Sequence, residues 1–194
     1  MTEEEYKKKK LELYRKIVND QNFDKKDVTD NDLCKLCDGG CCKHFPCAFL
    51  PDDFVDVDDF NYMKTILDTG FFVIDRFYHY PSKKVVYYIR SRGVLDKDII
   101  LKKSVYYNTC LLLEENGCIF DFYTRPSIGA LVKPKRDGIF TACSLQYTDE
   151  QIGDDWLKHQ KILLKLRRHY IWRRKSPNES KILKLERIIR QDEI

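Results

Sequence analysis

Apolar side chains recur at helical spacing near both ends of the chain. Over residues 2–19 they fall every three or four positions, and Thr2 with Glu5 fits a capping box, so we predict a helix there. A second helix is predicted over residues 150–174, and the Pro and Glu that follow Ser176 predict a last one. The apolar stripe of the second helix consists of Trp156, Leu163, Leu166 and Tyr170.

The middle of the chain has the composition of strands. Residues 71–80 and 84–91 are rich in Phe, Val, Ile and Tyr, and the segment Pro-Ser-Lys between them predicts a β-hairpin. Residues 105–112 and 118–123 predict a second hairpin, because Asn-Gly between them is a strong turn signal. Together with the helices, these hairpins predict an α+β fold.

One further helix is predicted between the first cysteines and the first hairpin. It extends from about residue 57 to 69, with Asp56 as its cap and Gly70 at its end. Several aspartates crowd its start. Carboxylates collect at helix N-termini for capping and dipole reasons, so we favour that explanation over a site for a hard cation.

Eight cysteines dominate the candidate chemistry: Cys34, Cys37, Cys41, Cys42, Cys47, Cys110, Cys118 and Cys143. The sequence begins without an apolar leader, and its longest apolar runs have about four residues, so we expect a cytoplasmic protein without a transmembrane segment. In that reducing compartment, clustered cysteines point to metal or redox chemistry more than to disulfides.

The first five cysteines form the array CKLCDGGCCKHFPC over residues 34–47. A C-x2-C spacing lets two thiolates reach one ion from a tight turn, and iron–sulfur clusters use similar runs. The adjacent pair Cys41-Cys42 fits a cluster, two metals, or one ligand beside a buried thiol. His44 could add an imidazole. Cys110 and Cys118 would lie near each other across the second predicted hairpin and could reach the same metal.

The array CKLCDGGCCKHFPCAFLPDD, followed by CLLLEENGCIFDFYTRP and a later cysteine, resembles a family of zinc- or iron-chelating cysteine-cluster domains. This family includes the flagellin lysine N-methylase type and small bacterial proteins without an assigned reaction. The resemblance covers about residues 34–147 and implies metal binding. Where the family commonly has R-P-x-x-C, this sequence has Gly129, so Cys143 or Cys47 would substitute. The positions matching the second motif are Cys110, Leu113, Gly117, Cys118, Arg125 and Pro126.

Charge is distributed unevenly along the chain. Residues 157–194 hold 12 Lys and Arg against 4 Asp and Glu, whereas residues 1–156 hold 23 against 27. The basic stretch over residues 157–178, with aromatics interleaved, could bind nucleic acid or an acidic protein, or be only the solvated face of a packed helix. The run Lys7–Lys10 is predicted to be solvated. The residues proposed for partner binding are Lys165, Arg167, Arg168, Trp172, Arg173 and Arg174.

These patterns predict three regions. Residues 1–33 form an N-terminal helix and linker, residues 34–150 a cysteine-rich metal-binding domain, and residues 151–194 basic C-terminal helices packed on it. The function that we predict is metal binding, with zinc or iron, including an iron–sulfur cluster, as the cofactor. One alternative is a module that binds nucleic acid or an acidic partner and has a structural metal site. Another is an iron–sulfur-dependent protein-modifying enzyme.

Overall fold

The computed structural model describes residues 1–18, 39–105, 107–115, 117–132 and 147–175. The predicted linker over residues 20–33 and the helix predicted after Ser176 lie outside these residues. The same is true of three of the predicted metal ligands, which are Cys34, Cys37 and Cys143.

Along the described chain, two small antiparallel sheets lie between N-terminal and C-terminal helices, which confirms the α+β class. The helices are α1 (Glu3–Val18), α2 (Gly40–His44), α3 (Phe60–Asp68), α4 (Ser127–Ala130), α5 (Asp149–Leu157) and α6 (Gln160–Lys175). The strands are β1 (Phe72–His79), β2 (Lys84–Ser91), β3 (Leu113–Glu114) and β4 (Gly117–Cys118). One turn of 3-10 helix covers Pro51–Asp53.

The first predicted hairpin is confirmed as the antiparallel pair of β1 and β2. Its register pairs Phe72 with Ser91 at one end and His79 with Lys84 at the turn. The residue before the second strand, Lys83, has a φ of 53°, as tight turns require. Helices α5 and α6 pack against this hairpin, chiefly against β2.

The hydrophobic core lies between this hairpin and the helices α3, α5 and α6. Trp156 is fully buried at its centre, and its indole Nε1 donates a hydrogen bond of 2.8 Å to the Phe49 carbonyl. That bond satisfies the one polar atom of the ring, so the largest side chain of the core is buried without an unpaired donor. The other fully buried apolar residues of this core include Met63, Leu67, Val86, Ile89, Leu163 and Leu166.

The N-terminal helix α1 packs on α4 through a smaller apolar cluster. Tyr14 is fully buried there, and its hydroxyl donates a hydrogen bond of 2.9 Å to the Phe122 carbonyl. The predicted capping box is present, because Thr2 and Glu5 each bond the backbone N–H of the other. The helix is therefore attached to the segment that follows the second cysteine motif.

The prediction that Lys7–Lys10 is solvated is wrong for Lys10, which has no exposed surface. Its ammonium forms an ion pair with the buried carboxylate of Asp53. It also donates to the Ser127 hydroxyl at 3.1 Å and to the Arg125 carbonyl at 3.3 Å. All three ammonium donors are thus used, which is the condition under which a lysine can be buried as a cation.

Three predicted boundaries differ from the structure. Helix α3 begins at Phe60, since Asp59 and not Asp56 caps it by accepting from the Tyr62 N–H. The second hairpin has only two residues in each strand. The helix predicted over residues 150–174 is two helices, because the chain turns after Leu157 and the Gln160 side chain bonds the backbone of β2.

Within the described ranges, no helix has both the length and the apolar character that a membrane span requires.

Candidate metal centre

Five of the eight predicted ligands lie in the described chain, and two separate segments carry them. Cys41 and Cys42 lie in α2, and Cys47 follows three residues after its end. Cys110 precedes β3, and Cys118 ends β4. None of the five forms a disulfide.

Backbone hydrogen bonds hold the two segments together. The Cys110 N–H donates to the Cys42 carbonyl at 2.8 Å, and the Asn108 N–H donates to the His44 carbonyl at 2.9 Å. On the other side, the Cys47 carbonyl accepts from the Ser91 N–H at 2.8 Å, which ties it to the end of β2. Backbone hydrogen bonds between segments, rather than bonds made by the thiols, therefore hold these cysteines in position.

Gly39 allows the two segments to approach closely. It precedes α2 with a φ of 63°, in the left-handed region that glycine adopts without strain. A Cβ at this position would lie 2.9 Å from Cδ1 of Leu113 in β3. A side chain here would meet the end of the Leu113 side chain, and this left-handed φ would strain most other residues, which explains the glycine at position 39 in physical terms.

The five cysteines line one cavity of about 1340 Å3. Its walls come from α2, from both hairpins and from the segment that contains Arg125, Pro126 and Gly129. The two cysteine motifs, which are far apart in the sequence, therefore face the same space.

Burial and neighbouring groups raise the pKa of three of these thiols. The hydrogen bond with Cys41 and burial together raise the pKa of Cys42. Burial is the main cause that raises the pKa of Cys47, and the nearby Asp53 adds to it. Burial likewise raises the pKa of Cys110, with Cys118 contributing through its charge. Because each thiolate would repel the others, several can coexist only beside a positive charge such as a metal ion.

Arg125 provides an unused donor at the same cavity. Its Nε is buried and has no hydrogen-bond partner among the described residues, while its NH2 group makes only a long bond of 3.4 Å to the Phe120 carbonyl. A buried donor without a partner is costly, so this Nε favours a further acceptor at the cavity.

Among the described residues, no three His, Cys, Asp or Glu side chains are arranged to hold a metal ion. Cys34 and Cys37, which would complete the first array, and Cys143 are outside the described ranges. The donor chemistry fits both zinc and iron–sulfur clusters, since each is held by thiolates. The unpaired Nε of Arg125 fits them too, because ligand sulfurs accept hydrogen bonds from nearby donors.

Gly129, at the position where the resemblance implies a cysteine, lies in the wall of this cavity. A Cβ there would be 3.1 Å from Sγ of Cys47 and 3.8 Å from Cγ of Arg125. Position 129 therefore adjoins a described cysteine, and the glycine leaves room for the Cys47 sulfur.

His44 differs from the cysteines in its surroundings. Its ring packs edge-on against Tyr107 with 5.8 Å between the ring centres, and it also contacts the Phe45 ring. Phe45 and Tyr107 are both exposed, so this aromatic group lies at the surface beside α2. The structure thus places the imidazole in an aromatic contact rather than with the five thiols that line the cavity.

The basic residues of α6 do not form one stripe. Arg174 pairs with Asp98 at 2.7 Å, and Arg173 lies 3.8 Å from Asp68. Lys165 stacks on the Phe60 ring at 4.5 Å, and Arg167 stacks on Tyr87 at 5.1 Å. These four cations contact the body of the protein, which matches the alternative of a packed helix with a charged surface. The other two proposed partner-binding residues, Arg168 and Trp172, are exposed.

No protein family model, curated protein or solved structure matches this chain. The interpretation of the site therefore rests on the residues themselves.

Two buried charge groups near the cavity were missed in the sequence. Arg90 lies in the cavity wall and binds Asp75 at 2.7 Å and both oxygens of Asp96. The other group is the Lys10–Asp53 pair described above. Asp75 and Arg90 sit in strands among apolar neighbours, and this is the one sequence signal that could have indicated that they are buried and paired.

Proposed function

We propose that this protein binds a thiophilic metal, either zinc or iron in an iron–sulfur cluster, through its cysteines. The observation that carries the proposal is the meeting of Cys41, Cys42, Cys47, Cys110 and Cys118 around one cavity. Either Cys34 and Cys37 or Cys143 would complete the ligand set. Zinc would stabilise the fold, whereas an iron–sulfur cluster would in addition carry electrons.

Two physical arguments support the proposal. First, five thiols from two segments line one cavity of about 1340 Å3, and thiolates are the preferred ligands of zinc and iron–sulfur clusters. Second, the buried Nε of Arg125 lacks an acceptor among the described residues, and a metal-bound sulfur would supply one. Neither argument depends on the family resemblance.

The direct test is elemental analysis of the full chain purified without oxygen. About one or two zinc atoms per chain would establish a zinc protein, and about four irons with matching sulfide would establish a cluster. Folded protein that contains neither metal, and does not take up either on reconstitution, would overturn the proposal.

Variants locate the metal within the molecule. Cys110→Ser and Cys42→Ser should each lower metal content and the melting temperature together, because metal binding contributes to the free energy of folding. The matched control is Thr109→Ser, since serine keeps the hydroxyl that donates to the Lys43 carbonyl at 3.1 Å. Full metal content in both cysteine variants would place the metal elsewhere.

A further inference from the structure

A second cavity, the cationic cleft, lies between α6 and residues 97–102. It has a volume of about 550 Å3. Six cationic side chains line it, whereas Asp98 is the one acidic residue in its described lining. The cations are Arg76, Arg92, Lys97, Lys102, Arg167 and Arg174.

Several of these cations are held in place by the fold. The Arg92 guanidinium donates through two nitrogens to the Asp96 carbonyl, at 2.8 Å and 3.0 Å. Arg76 donates to the Lys102 carbonyl at 2.7 Å, and Arg167 is stacked on Tyr87. The Arg92 NH1 group also donates to the Gly70 carbonyl at 3.4 Å, so all three of its guanidinium nitrogens are engaged. The contacts of Arg76 and Arg167 leave guanidinium N–H groups that can bind an anion without a large loss of side-chain entropy.

The rest of the lining is apolar. Ile99 and Leu101 come from the loop, and Ile171 comes from α6. Cations around an apolar floor suit a ligand that has an anionic end and a flat, weakly polar body. The volume falls within the range of about 300–1,000 Å3 that small-molecule sites occupy.

We propose that the cationic cleft binds a nucleoside phosphate. Arginine forks match the geometry of phosphate oxygens, and the apolar floor offers a surface for the base. The nucleotide can be free or can be the terminal nucleotide of a single strand. This site does not require a metal at the cysteines, and the two can be tested separately.

Two cleft residues suit mutagenesis better than the others. Arg76 and Lys102 also line the cysteine cavity, and Arg174 is paired with Asp98, so changing them would disturb more than the cleft. Lys97 and Arg167 line only the cleft of these two cavities. The double variant Lys97→Gln/Arg167→Gln therefore removes two charges from the site.

The matched control is Lys161→Gln/Arg168→Gln. Both residues are exposed on α6 outside the cleft, and the control removes the same charge. Titration calorimetry of the full chain would use ATP, inorganic phosphate and a 5′-phosphorylated single-stranded oligonucleotide as probes. Metal content is measured on the same samples.

We expect ATP to bind more tightly than inorganic phosphate, and the cleft variant to weaken ATP binding at least about 10-fold while the control does not. If the cleft variant weakens binding of the oligonucleotide by a similar factor, the terminal nucleotide of a strand is a second source of the same ligand. Absence of ATP binding at about 5 mM, equal affinity for ATP and phosphate, or equal losses in both double variants would overturn the proposal.

Discussion

Two regions beside the β1–β2 hairpin are filled in different ways. In the core, large apolar residues around Trp156 pack with little or no exposed surface. In the second region, the cysteine side, five thiols and the Arg90 charge cluster surround a cavity of about 1340 Å3, and the Nε of Arg125 there has no hydrogen-bond partner among the described residues. The hairpin and α5 contribute to both regions, since Ile152 of α5 belongs to the core and also lines the cavity.

This difference indicates what stabilises each side. Burial of apolar surface, at about 25 cal/mol per Å2, is enough to fold the side of Trp156. On the cysteine side, backbone hydrogen bonds hold the two cysteine segments together, and a bound metal would add the bonds of its thiolate ligands. We therefore expect chelation to loosen the cysteine side while the core stays folded.

The largest effect is expected from removing the centre of the core. Trp156→Ala should lower the free energy of unfolding by about 4 kcal/mol, because it leaves a cavity and removes the donor to the Phe49 carbonyl. Urea denaturation measures this. Trp172→Ala, at a side chain that is 59% exposed, is the control and should change stability by less than about 0.5 kcal/mol. Similar losses for both would contradict the placement of the core.

The next effect concerns the link between α1 and the cysteine side. Lys10→Ala should cost about 3 kcal/mol, since it leaves the buried Asp53 carboxylate without its ion pair. Lys8→Ala, two positions away and exposed, is the control. A second variant, Lys10→Ala/Asp53→Asn, should recover part of the loss. If the single variant is as stable as the control in urea denaturation, the ammonium is not buried.

The smallest changes in stability are expected at two glycines, one in the core and one on the cysteine side. A Cβ at Gly153 in α5 would overlap the His79 ring, which is held by the Ser82 hydroxyl at 2.8 Å and the Glu150 carbonyl at 3.1 Å. Gly153→Ala should therefore cost about 2 kcal/mol although alanine favours helices.

Nothing lies within 4 Å of a Cβ built at Gly40 in α2. Gly40→Ala should leave stability unchanged or raise it by up to about 1 kcal/mol, following helix propensity alone. Thermal melts of the two variants test the contrast. Destabilisation of equal size at both positions would show that the cysteine side is packed as tightly as the core.

Local sequence patterns predicted the structural features that depend on neighbouring residues. The capping box at Thr2 and Glu5 and the two strands of the first hairpin both follow from residues a few positions apart. Contacts across the chain decided the rest. Lys10 meets Asp53, 43 positions away, and no pattern within residues 7–10 distinguishes it from its solvated neighbours. The burial of a charged side chain therefore cannot be predicted from the sequence until its partner is known.

The second hairpin shows the same limit at the candidate site. Residues 105–112 have the composition of a strand, yet their backbone bonds go to other segments, such as Val94 to Thr109 and Cys110 to Cys42. Among the described residues, the observed pairs are Leu113 with Cys118 and Glu114 with Gly117, which lie closer to the turn than the predicted strands. The sequence indicated that two motifs would meet, but the pairing that brings them together is long-range and has no local signature.

The bond between the Cys110 N–H and the Cys42 carbonyl has a consequence for biosynthesis. The two residues are separated by 68 positions, and a ribosome adds about 5–20 residues per second. Cys42 therefore leaves the ribosome seconds before its partner segment exists. During that interval the early thiols are unshielded, so oxidants can reach them before the site can close.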